Sequence, residues 1–150
     1  KADIVSMAKG IANGFPVGAI IISPEITAKK GMLGTTFGGS HLACAAAIAV
    51  ADVVKAENLV ENARLMGEKI VEGIKDTSGV KEIRGSGLMI GVDLSVPQAD
   101  FRRVLRERHH IMTGLSGQYT LRLLPPLVIG EREVERFVEA FRATAAEMGM

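Results

Sequence analysis

The sequence predicts a mixed α/β chain whose two parts are built differently. In the front part, apolar runs too short for helices are separated by glycine-rich loops and lead into an alanine-rich helix. The back part alternates helix-spaced and strand-like segments and reads as a small α+β layer domain. The change from an all-apolar to an amphipathic pattern near Ala56 is the candidate boundary, giving parts 1–55 and 56–150.

Taken in order, Ile4, Val5, Met7 and Ala8 read as a short buried strand that breaks into the turn-rich run 11–18. Residues 17–23 read as a second, fully buried strand ended by Pro24. A polar glycine loop, Gly34-Thr-Thr-Phe-Gly-Gly-Ser40, then feeds a helix over 41–55. Ser40 is placed to cap that helix, because its hydroxyl can accept from an orphan backbone N–H. The helix is apolar nearly all round, which predicts burial on more than one side. A second helix over 56–76 carries Leu59, Ala63, Met66, Ile70 and Ile74 at spacings of three and four. Strands follow over 80–84 and 87–94, joined at Gly85-Ser86, then a helix over 101–108. Further strands are predicted over 111–113 and 119–124, the latter stopped by Pro125-Pro126. The last helix, 131–148, places Val134, Phe137, Val138, Phe141 and Ala145 on one stripe, with Glu131 and Glu133 suited to its N-terminal dipole.

Composition narrows the function classes. A net charge of +1 gives no general attraction for phosphate polymers or anionic membranes. Aromatic content of 4% without Trp argues against stacking surfaces that grip single-stranded nucleic acid. The longest strongly apolar run, 42–54, is interrupted by Asp52 and is too short to span a bilayer. The single cysteine, Cys44, forbids an internal disulfide, suits a reducing cytoplasmic setting and reads as a small core hydrophobe. No His/Cys spacing predicts a metal site.

Four residues stand out. Lys9 is placed where an apolar strand meets a tight loop; desolvation there favours a neutral, nucleophilic amine. On those residues alone a snorkelling surface lysine is the commoner outcome. Thr35 and Thr36 lie in a glycine loop before a helix N-terminus, an arrangement that can hold a phosphate or be an ordinary capped loop. Arg122, between apolar neighbours in a strand-like run, can clamp a carboxylate or lie on an outer strand face. The basic cluster Arg102, Arg103, Arg106, Arg108, His109 and His110 is interrupted by Glu107 and reads as a solvated helix face.

Order and spacing say more than any one element. Asp-Ile-Val-Ser-Met-Ala-Lys9-Gly-Ile-Ala-Asn-Gly-Phe-Pro-Val-Gly-Ala closely resembles the cofactor-lysine segment of the class III, pyridoxal-phosphate-dependent aminotransferases. Gly34-Thr-Thr-Phe-Gly-Gly resembles their phosphate loop and Leu42-Ala-Cys-Ala-Ala-Ala the helix after it. Arg84-Gly-Ser-Gly-Leu-Met-Ile-Gly-Val-Asp-Leu94 and Leu121-Arg-Leu-Leu-Pro-Pro-Leu127 resemble their C-terminal signatures. Within the class the likeness is to acetylornithine and ornithine aminotransferases. The resemblance implies a fold-type I α/β architecture, with 1–55 ending the large cofactor domain and 56–150 forming the small C-terminal domain. It implies that Lys9 holds pyridoxal phosphate as a Schiff base and shuttles a proton, and that Thr36 binds the cofactor phosphate across a homodimer interface. By the same resemblance Thr35 lies near the substrate and Arg122 meets its α-carboxylate. The implied reaction passes an amino group from an acetylornithine- or ornithine-type donor to a 2-oxo acid. A 4-aminobutyrate aminotransferase or a glutamate-semialdehyde aminomutase is the alternative within the class. The family usually has Asn-Pro where this chain has Ser40-His41, which gives up a preset φ at the first helical position. Members are two to three times longer, and this chain opens at Lys1. The expectation is therefore a fragment, with weak or no cofactor binding or activity of its own.

Overall fold

In the computed structural model, which describes residues 2–27, 29–32 and 34–150, strand β1 (Ile4–Met7) pairs antiparallel with β2 (Ala19–Ile22), Ile4 opposite Ile22 and Met7 opposite Ala19. A 3-10 turn over Lys9–Ala12 connects them, and helix α1 (His41–Ala56) packs against that turn. These elements belong to one compact unit, Lys1–Glu57. Its buried side chains among the described residues are Ala12 from the turn and Ala43 from α1.

Here the burial expected from the sequence fails. Both strands exist, but Ile4, Val5, Ile20, Ile21 and Ile22 are exposed. In α1, Leu42, Ile48 and Val53 are exposed, and Cys44 is an exposed free thiol, not a core residue. The physical reason is the number of layers: one helix and a single turn cannot cover both faces of a ribbon and all sides of an apolar helix. Ser40 occupies the N-cap position of α1, yet its hydroxyl makes no capping hydrogen bond.

The second unit, Asn58–Met150, is built around one core. Helix α2 (Leu59–Ile74) precedes the hairpin β3 (Val80–Ser86) and β4 (Met89–Leu94). Helix α3 (Gln98–His109), strands β5 (Gly114–Ser116) and β6 (Thr120–Leu123), and helix α4 (Glu131–Glu147) complete it. The strands form an antiparallel sheet in the order β3-β4-β6-β5. Period-two alternation sends Ile90, Val92, Leu94, Leu121 and Leu123 into the core. There they join Met66, Ile70 and Ile74 of α2, Phe101 and Leu105 of α3, and Val134, Phe137 and Phe141 of α4. Phe141 stands in tilted contact with Phe101 at 4.8 Å between ring centroids.

Helix α2 starts at Leu59, later than the spacing suggested, because Asn58 adopts φ +50 and interrupts the helical path from α1. Residues 111–113 are not a strand. His110 ends α3 at φ +55, and the Thr113 carbonyl accepts from Arg102 Nε at 3.1 Å, so the ladder begins only at Gly114. The basic residues of α3 are interleaved with acids on its surface, Arg106 meeting Glu107 at 3.0 Å and Arg103 meeting Asp100 at 3.7 Å. Among the described residues, no helix is long and apolar enough to cross a membrane, and no cluster of His, Cys, Asp or Glu is arranged for a metal.

The sheet's other face is polar. Asp93 accepts both guanidinium nitrogens of Arg84, at 2.6 and 3.1 Å, and the Thr120 hydroxyl donates to the same carboxylate at 2.5 Å. The Arg84 guanidinium, helped by the Thr120 hydroxyl, holds the Asp93 carboxyl below the usual carboxylate range.

Two predictions follow from this packing. At the β3–β4 turn, where Gly87 takes φ +53, a methyl group on Gly67 of α2 would lie 2.1 Å from the Gly87 carbonyl oxygen. Gly67→Ala should therefore lower stability by about 1–3 kcal/mol in urea unfolding, whereas a solvent-facing Glu68→Ala should change it little. For Asp93, the depressed folded-state value means that its stabilisation is present at neutral pH and is lost as acid protonates it. Arg84→Gln should move the Asp93 titration, followed by carboxyl NMR, up toward an ordinary carboxylate; an unmoved titration would remove Arg84 as the cause.

Candidate functional site

Lys9 sits at a backbone outlier. The strand ends at Met7, Ala8 is extended at φ −159, and Lys9 then turns to φ +59 to start the 3-10 turn that Asn13 closes at φ +48. A side-chain-bearing residue in this left-handed region costs on the order of 1 kcal/mol, and such strain clusters at functional sites. Glycine would relieve it, yet lysine occupies the position and Gly10 follows. The geometry holds the Lys9 Cα at the junction of strand and turn. Its side chain is exposed, contrary to the desolvated setting expected, because the described residues place nothing over it. Among the described residues Lys9 has no hydrogen-bond or ion-pair partner, so its amine is uncommitted.

The loop over 34–40 brings a second set of groups to the same unit. Thr35 and Thr36 are exposed. A methyl group at Gly38 would lie 2.1 Å from Cγ2 of Thr35, so the loop folds back on the threonine, whose side chain would have to turn aside for any Cβ there. Gly39 adopts φ +72, and the Ser40 amide donates to the Phe37 carbonyl at 3.2 Å. The first amide of α1 to find a helical acceptor is that of Cys44, which donates to Ser40 at 2.9 Å. The amides of His41, Leu42 and Ala43 meet no carbonyl among the described residues, as expected for a helix start, and they carry its positive dipole end. Thr35, Gly38 and Ser40 line a hollow whose other wall includes Phe15, Pro16 and Ala43.

An uncommitted amine, two threonine hydroxyls and a helix start thus share one unit, joined because the turn that begins at Lys9 packs on α1. The amine suits a carbonyl, and the amides and hydroxyls of the loop suit an anion. Pyridoxal phosphate carries both groups, and each set of residues fits one of them.

Arg122 belongs to the other unit. It lies on the polar face of the sheet, in register with Gly91 on one side and Gly114 on the other. Arg84 on that face is committed to Asp93, whereas Arg122 is exposed and meets no carboxylate among the described residues. It is thus available for a bidentate grip on an incoming carboxylate. Sequence reasoning missed the left-handed backbone at Lys9, the fold of the loop onto Thr35, and the Asp93–Thr120 pair that occupies Arg84. Alternation of Thr120 and Arg122 with buried Leu121 and Leu123 was a readable signal for the shared face; the cross-strand partners carried none.

Comparison with known proteins adds a separate line of support. The family model for Aminotransferase class-III matches residues 1–145. Acetylornithine aminotransferases from Methanosarcina mazei and Archaeoglobus fulgidus are 39% and 41% identical over 141 residues. Each match covers 93% of this chain but only 35% and 36% of the relative, so the chain spans about a third of their length. Among solved structures, Plasmodium falciparum ornithine delta-aminotransferase superposes with a TM-score of 0.86 at 29% identity, over 98% of this chain and 41% of that one. Acetylornithine aminotransferase from Elizabethkingia anophelis gives 0.85 at 31% identity, over 98% and 41%. With the family model running through the turn of Lys9, the loop of Thr35 and Thr36, and the sheet of Arg122, the chain belongs to the class III aminotransferases.

Proposed function

We propose that this chain, within a protein of its relatives' length, serves a pyridoxal-phosphate-dependent transamination from acetylornithine or ornithine to a 2-oxo acid. In this reading residues 1–55 end the large cofactor domain and 56–150 are the small C-terminal domain. The relatives' names support the donor class. The exposed isoleucines of β1 and β2 support a larger domain, because an apolar ribbon of this kind calls for covering layers. The exposed free thiol of Cys44 is at home in the cytoplasm. The observation that carries the reading is Lys9: a strained lysine with an uncommitted amine, on the turn that packs against the helix following the threonine loop.

Bound pyridoxal phosphate supplies an aldehyde that condenses with amines and a ring that accepts the electron pair of a broken Cα–H bond. The chain's own residues divide the remaining work. Lys9 Nζ would hold the aldehyde end of the group and, as a free amine, would be the base that takes the proton from the donor's Cα and returns it. The Thr36 hydroxyl and neighbouring amides hold the phosphate, in this reading across a homodimer interface to the partner's cofactor, and Thr35 lies beside the substrate. Arg122 grips the α-carboxylate, which fixes the direction of the Cα–H bond.

Steady-state kinetics with acetylornithine, ornithine and 2-oxoglutarate test this in the protein of full relative length. Lys9→Ala should reduce kcat by about a hundred- to ten-thousand-fold, the range for a lost proton-transfer group. Arg122→Gln should raise the KM for the amino donor roughly ten- to a hundredfold, as expected for a lost charged hydrogen bond. A Lys9→Ala protein with an undiminished rate would end the proposal. Turnover of 4-aminobutyrate in preference to both ornithine compounds would redirect it within the class.

A further inference from the structure

The residues beside Arg122 carry one more assignment, which rests on Arg122 being the carboxylate grip. Across the sheet the register runs Arg84, Gly91, Arg122, Gly114, so each arginine stands next to a glycine. Arg84 leans along its face to Asp93 and Thr120. Arg122 leans the other way. A methyl group on Gly114 would lie 3.0 Å from Arg122 Nε and 3.5 Å from its Cβ. A methyl group on Gly91, in contrast, would have Thr120 and Arg84 as its nearest neighbours. The side chain of Arg122 therefore lies across β5, over the bare backbone of Gly114.

Backbone conformation does not explain this glycine, because Gly114 is not among the residues with positive φ. Its neighbours do. Strand β5 is the sheet edge, and its first residue is the floor over which the guanidinium passes. We propose that Gly114 is a positioning residue for Arg122: the missing side chain sets the direction in which the guanidinium meets the donor's carboxylate. With that floor in place the long side chain is held to few rotamers, and less order is lost when the carboxylate binds. Any Cβ at position 114 lifts Nε and tilts the planar fork, which a point charge would tolerate better than a bidentate pair.

The test compares Gly114→Ala, Arg122→Ala and the double variant in the protein of full relative length, with folding checked by circular dichroism. Gly114→Ala should raise the KM for the amino donor roughly three- to tenfold, the scale of an off-rotamer shift, with kcat within twofold. Binding of a monoamine without a carboxylate should not change. In the Arg122→Ala background the same substitution should alter KM less than twofold. Should Gly114→Ala fail to fold while the double variant folds, the steric opposition of the two residues is shown directly and the proposal stands. The proposal is overturned if KM does not move, if it moves equally without Arg122, or if neither variant folds, since the Arg122 carbonyl, 3.2 Å from that methyl position, would then be the reason for glycine. An Arg122→Ala protein with unchanged KM overturns the role of Arg122 itself. That result differs from failure of the Gly114 assignment alone, in which Arg122→Ala matters and Gly114→Ala does not.

Discussion

Packing of one face of the four-stranded sheet beneath α2, α3 and α4 is the constraint from which the second unit follows. Ile90, Val92, Leu94, Leu121 and Leu123 each contribute about 1.5–3 kcal/mol by leaving water. A register slip of one residue in β4 or β6 would turn that strand's share of them to the opposite face. The alternation that buries them leaves Gly91, Asp93, Thr120 and Arg122 no choice but the opposite face. Arg122 is thus carried by a strand paired on both sides, and its Cα is as fixed as the core. Asp93 takes Arg84 out of play, so among the described residues Arg122 is the guanidinium of that face without a carboxylate.

The first unit works by the opposite logic. Few of its side chains are buried, and its candidate groups are set by backbone geometry: the left-handed turn at Lys9, the glycines that fold the loop onto Thr35, and a helix start with open amides. Such groups are open to a ligand's carbonyl at the amine and to an anion at the loop, and binding would offset the strain that the backbone carries. The same sparse burial means that the apolar faces of β1, β2 and α1 are free for covering layers.

Much of the second unit could be read in the sequence, because its signals are local. The three- and four-residue spacing from Leu59 to Ile74 and from Val134 to Ala145 marked the helices, and period two marked β4 and β6. The 111–113 segment misled, since an apolar composition says nothing of an arginine that occupies its carbonyl. The isoleucines of β1 and β2 misled in another way: they report the burial for which a strand is written, not the burial that the chain itself supplies. At the site, Thr35, Thr36 and Arg122 were visible as residue types. The register that sets Arg122 between two glycines was not, since it depends on pairing between strands, and neither was the φ of Lys9, since lysine as a residue type does not favour the left-handed region.

The central claim is that Lys9 Nζ is the attachment point of the cofactor. Borohydride reduction of the pyridoxal-phosphate-loaded protein, followed by peptide mass mapping, tests it most directly. The account predicts a phosphopyridoxyl group on the peptide containing Lys9 and none on those containing Lys29, Lys30 or Lys55. A label on another lysine, with Lys9 unmodified, would contradict it.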